Sequence, residues 1–150
     1  MSRASIANFL PDEALAFRSI GSAAVTATTA STPMDLQKLQ AYWSTDEWGI
    51  ADKLTVVIQV NDVFFGEYVG AEIPETYTLS LQVDALSSFA SPTTVASIAI
   101  TADDLVGSYI ELAIDPADMR EFDATANYVR LVATLAGEAP SLEYCAYVKN

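Results

Sequence analysis

The stretch "YTLSLQVD", Tyr77 to Asp84, alternates without a break. Tyr77, Leu79, Leu81 and Val83 fall on one side of an extended chain, and Thr78, Ser80, Gln82 and Asp84 fall on the other. Successive strand side chains point to opposite faces, so this is the period of a strand with one face in a core and one face wet. The apolar set is expected in the core. The polar set, Asp84 included, is expected to be solvated or to face a subunit.

Working outward, the same period recurs in residues that are mostly β-branched or aromatic. Strands are predicted at "AAVTATT" (23–29), "KLTVVIQVN" (53–61), "ETYTLSLQVDA" (75–85), "TVASIAI" (94–100), "SYIELAI" (108–114), "NYVRLVATLA" (127–136) and "SLEYCAYV" (141–148). Leu54, Val56, Ile58 and Val60 are expected to point inward, as are Ala96, Ile98 and Ile100, then Ile110, Leu112 and Ile114. In the late strand Val129, Leu131, Ala133 and Leu135 oppose Tyr128, Arg130, Val132 and Thr134. Turn-forming Ser, Asp, Gly and Pro separate the strands in "SSFASPTT", "ADDLVG", "DPADMREFD" and "GEAP". Seven or eight short strands with no helical stretches between them predict an all-β, antiparallel sandwich or barrel. Helical candidates are few: "PDEALAF" (11–17), "MDLQKLQAYW" (34–43) and one turn in "PADMREF" (116–122).

A chain of 150 residues suits one domain. It divides into an N-terminal arm, 1–20, and a β domain, 21–150. With 20 acidic against 7 scattered basic residues, the net charge is −13. Phosphate backbones and anionic membranes require clustered Lys and Arg, so nucleic acid and membrane are poor partners. The start carries no recognisable export signal and no run is long and apolar enough for a membrane span. High charge of one sign keeps many copies soluble and apart until specific contacts overcome the repulsion.

Chemistry-bearing patterns are sparse. Histidine is absent, which removes the commonest general base and transition-metal ligand. Cys145 is the single cysteine, expected as a buried, inert thiol. The acid pairs Asp12-Glu13, Asp46-Glu47 and Asp103-Asp104 read as solvated turn acids. Asp115, Asp118, Glu121 and Asp123 supply oxygens without the spacing of a calcium loop. No nucleophile elbow, phosphate loop or dinucleotide fingerprint occurs. The expectation is a protein that is not an enzyme and uses no cofactor or metal.

Aromatic and apolar residues outside the strands are the candidates for contact. Phe64, Phe65, Tyr68 and Val69 lie in a connection, 62–74, with Gly66 and Gly70 beside them. Phe9 and Leu10 lie in the arm, and Trp43 and Trp48 sit among acids in "YWSTDEWGIAD" (42–52). Aromatic anchors on loops carry much of the energy of protein interfaces. The competing reading of 62–74 is a loop folded back to cap one end of the sandwich.

Taken together, "SAAVTATTASTPMDL" (22–36), "LTVVIQV" (54–60), "ETYTLSLQVDALSSFASPTTVASIAI" (75–100) and "NYVRLVATL" (127–135) resemble the small capsid cement proteins of tailed bacteriophages, the family typified by the Bordetella phage cement protein. The matching positions are Asp35 and Leu36, Leu79 to Asp84, Phe89, Ser91, Pro92 and Thr93, then Tyr128 to Leu131. The resemblance implies a jelly-roll β-sandwich of about eight strands and no enzymatic activity. It implies the major capsid protein as partner, on the exterior of the virion after synthesis in the host cytoplasm, and self-association as a homodimer, or else a trimer. The arm, the double-Trp segment and the 62–74 loop are longer than that pattern requires. The alternative is a carbohydrate-binding jelly-roll module, from a tail fibre or secreted, with Trp43, Trp48 and Tyr68 as stacking platforms.

Overall fold

Leu54, Val56, Ile58 and Val60 recur at every second position, and all four are fully buried. Only a strand lying against a second layer does that to one side of a chain. The computed structural model describes residues 15–40, 54–67, 70, 73–101, 107, 109–114 and 121–149. In chain order its elements are β1 (Ala16–Arg18), β2 (Thr29–Ala30), β3 (Met34–Asp35), α1 (Leu36–Gln40), β4 (Leu54–Val63), β5 (Thr76–Asp84), β6 (Thr93–Ile100), β7 (Tyr109–Ile114), β8 (Tyr128–Ala136) and β9 (Leu142–Val148). Every strand pairing is antiparallel.

The strands form two sheets. One has the order β1-β9-β4-β7; the other has β2-β8-β5-β6, with β3 also paired to β8. Their inward residues meet in one apolar cluster. Leu54 to Val60, Leu112, Ile114, Leu142 and Tyr144 come from the first sheet, and Tyr77 to Val83, Ile100, Val129 and Leu131 from the second. The protein is therefore an all-β sandwich. Taking β2 and β3 as one interrupted edge strand, the pairs β1·β9, β2/β3·β8, β4·β7 and β5·β6 nest inside one another. The pairs β9·β4 and β8·β5 then close each sheet.

Six of the seven predicted strands match within a residue or two. The seventh does not. Residues 23–29 form no continuous strand; Val25 makes one bridge to Leu142 in the first sheet, and the chain then crosses to the second sheet at Thr29. Side-chain hydroxyls interrupt the ladder there, with Thr28 Oγ1 accepting from Leu135 N–H at 3.1 Å and Ser31 Oγ from Leu131 N–H at 2.9 Å. Local hydroxyls compete in this way with backbone pairing. The helix expected over 34–43 is present as Leu36–Gln40, with Asp35 Oδ1 accepting from Gln37 N–H at 2.8 Å as its cap. Glu121 and Phe122 are helical at the end of "PADMREF". "PDEALAF" lies mostly outside the described residues, and its last two residues open β1. The end of the expected arm thus belongs to the sandwich: Leu15 is buried in the core, and Ala16 to Arg18 pair with β9.

Outward residues of the first sheet are not all wet. Val57, Cys145 and Tyr147 alternate with core residues yet are buried. The turn Ser19–Ser22 lies over this side, with Ile20 N–H donating to Tyr147 Oη at 2.7 Å. Cys145 is buried as expected, donates toward Gln59 Oε1 at 3.7 Å, and has its thiol pushed up by burial.

Candidate interaction surfaces

Two ends of β5 organise the loops. At its start, Tyr77 is 1% exposed, and its hydroxyl donates to the Phe64 carbonyl while accepting from Ser141 N–H at 3.0 Å. Phe64 N–H donates in turn to the Ser141 carbonyl at 3.0 Å, and Gly66 N–H donates to Glu75 Oε2 at 3.0 Å. One buried phenol therefore ties the exit from β4 to the entry into β9 and fixes where the aromatic loop leaves the sandwich. Phe65 packs back, edge-on to the Tyr77 ring with centroids 5.3 Å apart and planes at 86°. Phe64 points out and is 47% exposed, as is Ile73 at 62% farther along the same connection. The two neighbours divide the work: Phe65 caps the core, and Phe64 is surface. Tyr68, Val69, Phe9, Leu10, Trp43 and Trp48 lie outside the described residues.

At the far end of β5 the polar face departs from expectation. Thr78, Ser80 and Gln82 are half-buried, but Asp84 is only 5% exposed. Its carboxylate accepts from Leu86 N–H at 3.0 Å and Ser91 N–H at 2.9 Å, so it clips both ends of the 85–91 loop. These backbone donors, first Leu86 and then Ser91, hold the carboxyl below its ordinary value against the opposing effect of desolvation, with Arg130 adding a smaller pull. Asp84 is thus a structural ligand of its own loop and not a solvated face residue. Period-two reading assigns a side but not what folds over that side.

The same loop explains the neighbouring polar residue. Gln82 Oε1 accepts from Arg130 Nε at 3.0 Å and Nη2 at 2.8 Å. The Arg130 guanidinium lies over the Phe89 ring, 4.3 Å from its centroid. Phe89 is buried and has a φ of +50°, the left-handed region, which costs a non-glycine residue about 1–3 kcal/mol. Burial of the ring and the cation above it offset that strain. Gln82, Asp84, Phe89, Ser91 and Arg130 therefore form one interlocked node.

Beside the node lies an open groove of about 450 Å³, lined by Asp35, Gln37, Ala85, Leu86, Ser87, Ser88, Asn127 and Tyr128. Asn127 braces it, giving Nδ2–H to the Ala85 carbonyl at 3.2 Å and its N–H to the Asp84 carbonyl at 3.0 Å. Leu36 N–H donates to the Asn127 carbonyl at 2.9 Å, which seats α1 against the groove. The lining offers carboxylate, amides and hydroxyls with one exposed leucine and one tyrosine. Such groups bind by hydrogen bonding. Among the described residues, no three of His, Cys, Asp and Glu are grouped to hold a metal ion.

No family model matches the chain, and no curated protein matches it.

Proposed function

We propose that this chain is a capsid cement protein of a tailed phage, a jelly-roll sandwich that binds the outside of an assembled head and bridges capsomers. The observation that carries the reading is the node at the end of β5. Gln82, Asp84, Phe89, Ser91 and Arg130, which carry the resemblance in sequence, also lock together in space across 48 residues. Asp35 and Leu36 join them through α1 and Asn127. The nested strand pairs support the jelly roll, since a long hairpin folded over twice pairs first with last, second with second-last, and so inward. The motif is thus scaffold. Contact falls to the surfaces it leaves free, with Phe64 foremost at the opposite end of β5.

A cement protein works by binding the assembled shell and not the free subunit. Each occupied site then stabilises the shell by RT ln(1 + [L]/Kd), about 2.7 kcal/mol at a hundredfold excess over Kd. Bridging raises the effective concentration of the second contact once the first is made. The test is co-sedimentation with expanded heads of the encoding phage. Deletion of residues 1–14 and Phe64→Ala should each weaken binding while leaving the fold intact. The deletion stops there because Leu15 belongs to the core, and Phe65 is spared because it packs on Tyr77. Undiminished binding by both variants would remove the assignment.

The groove favours one rival, a carbohydrate-binding module, because Asp35, Asn127, Ser87, Ser88 and Tyr128 are the groups that hold a neutral polyol. Glycan-array binding lost in Tyr128→Ala, with no affinity for heads, would support that rival instead.

A further inference from the structure

Among the described residues six large apolar side chains are exposed: Ile20, Phe64, Ile73, Leu86, Tyr109 and Phe122. Scattered singly they would need no explanation. Four of them stand at the two ends of β5. Phe64 and Ile73 lie in the connection that enters it. Leu86 follows its last residue, Asp84, and Phe122 lies on the segment that leads into β8, whose first residue, Tyr128, is opposite Asp84. Asn127 ties that segment to the 85–91 loop, donating its N–H to the Asp84 carbonyl and its side-chain amide to the Ala85 carbonyl. Leu86 and Phe122 are 59% and 56% exposed, each more than Phe64. At nine residues and roughly 3.3 Å a residue, β5 holds its two ends about 26 Å apart. The far end is also acidic. Glu121 is exposed there, and Asp35 and Asp123 are half-buried. Asp35 is the one charge in the lining of the groove beside Leu86. Against these acids stands exposed Lys38 on α1, while Arg130 is held by Gln82 and Phe89 and Lys149 is paired with Glu111.

We propose that Leu86 and Phe122 anchor a second contact, made with a protein surface whose apolar pocket is rimmed by Lys or Arg. The partner's chemistry follows from what surrounds the anchors. Apolar anchors bind best when a ring of other contacts keeps water from them. Here that ring holds carboxylates, so electrostatic complementarity calls for a basic rim on the other side. The open groove gives one such basic side chain a path to Asp35. Spacing fixes the geometry of the bridge. A separation of about 26 Å is close to the width of a small domain, so the two ends of β5 reach different neighbours. This inference deepens the head-binding reading and rests on it: the bridge runs along β5, with Phe64 on one capsomer and Leu86 with Phe122 on the next.

Co-sedimentation with expanded heads of the encoding phage, titrated to give a dissociation constant, tests it. The parent chain should bind. Leu86→Ala and Phe122→Ala, both at exposed positions that leave the core alone, should each raise the constant about tenfold. Glu121→Lys, which sets a cation against the basic rim, should weaken binding by a similar factor. Ile20→Ala removes an equally exposed apolar side chain from the turn over the first sheet and should change it little. Undiminished binding by either alanine variant at the far end, equal weakening by Ile20→Ala, or parental affinity in Glu121→Lys overturns the proposal and leaves the cement reading in place. No binding by the parent removes both.

Discussion

Asp84 shows how one side chain holds a loop in place. Its carboxylate is charged, clipped by two backbone donors, and 5% exposed. Because the folded value lies below the unfolded one, the contribution to stability is complete above the ordinary carboxylate pKa of about 4 and is lost as pH falls below it. The 85–91 loop, and the groove beside it, should therefore loosen on acidification. Asp84→Asn should lower Tm at neutral pH and flatten its fall between about pH 5 and pH 2. Thermal melts across that range check this; a variant whose Tm falls as steeply with acid as the parent's contradicts the role given to the carboxylate. The sequence marked Asp84 as one of four alternating polar residues, and nothing in that period distinguishes it from Ser80. Its burial depends on a loop folding back seven residues later, and the Gln82–Arg130–Phe89 stack depends on a pairing 48 residues away.

At the level of elements, legibility follows packing. β4 and β5 were plain because both sheets press on their inner faces, which forces strict alternation of Leu, Val and Ile. The passage from 23 to 35 was not. There the chain changes sheets, and Thr28 and Ser31 hydroxyls stand in for backbone partners, so composition reads as strand where pairing is intermittent. The aromatic connection was half legible. Its aromatics were evident, yet the division between capping Phe65 and exposed Phe64 is set by Tyr77, whose hydroxyl bonds the Phe64 carbonyl. The β8–β9 turn braces the same end. Gly137 has a φ of +112°, and a Cβ there would stand 2.6 Å from Glu75 Cα. Gly137→Ala should destabilise the protein by roughly 2 kcal/mol or more, from backbone strain and overlap together. Urea denaturation measures it. A loss of only a few tenths of a kcal/mol would mean that this end of the sandwich is looser than described.

For the whole molecule, charge and fold point to the same behaviour. A net charge of −13 sets copies of the chain against one another, so association requires specific contacts that overcome the repulsion. The sandwich exposes Phe64 and Leu86 on the loops at opposite ends of β5. Such loop ends suit a partner with pockets for aromatic and aliphatic anchors. The resemblance motifs were readable in the sequence because they lie in four continuous runs; that three of these meet at one loop was not, since their meeting depends on the β5–β8 register. The measurement that bears most directly on the cement reading is binding to expanded heads compared with binding to free capsid subunits from the same phage. Saturable binding to heads, with little or none to subunits, is what the account predicts. Equal affinity for both, or none for either, contradicts it.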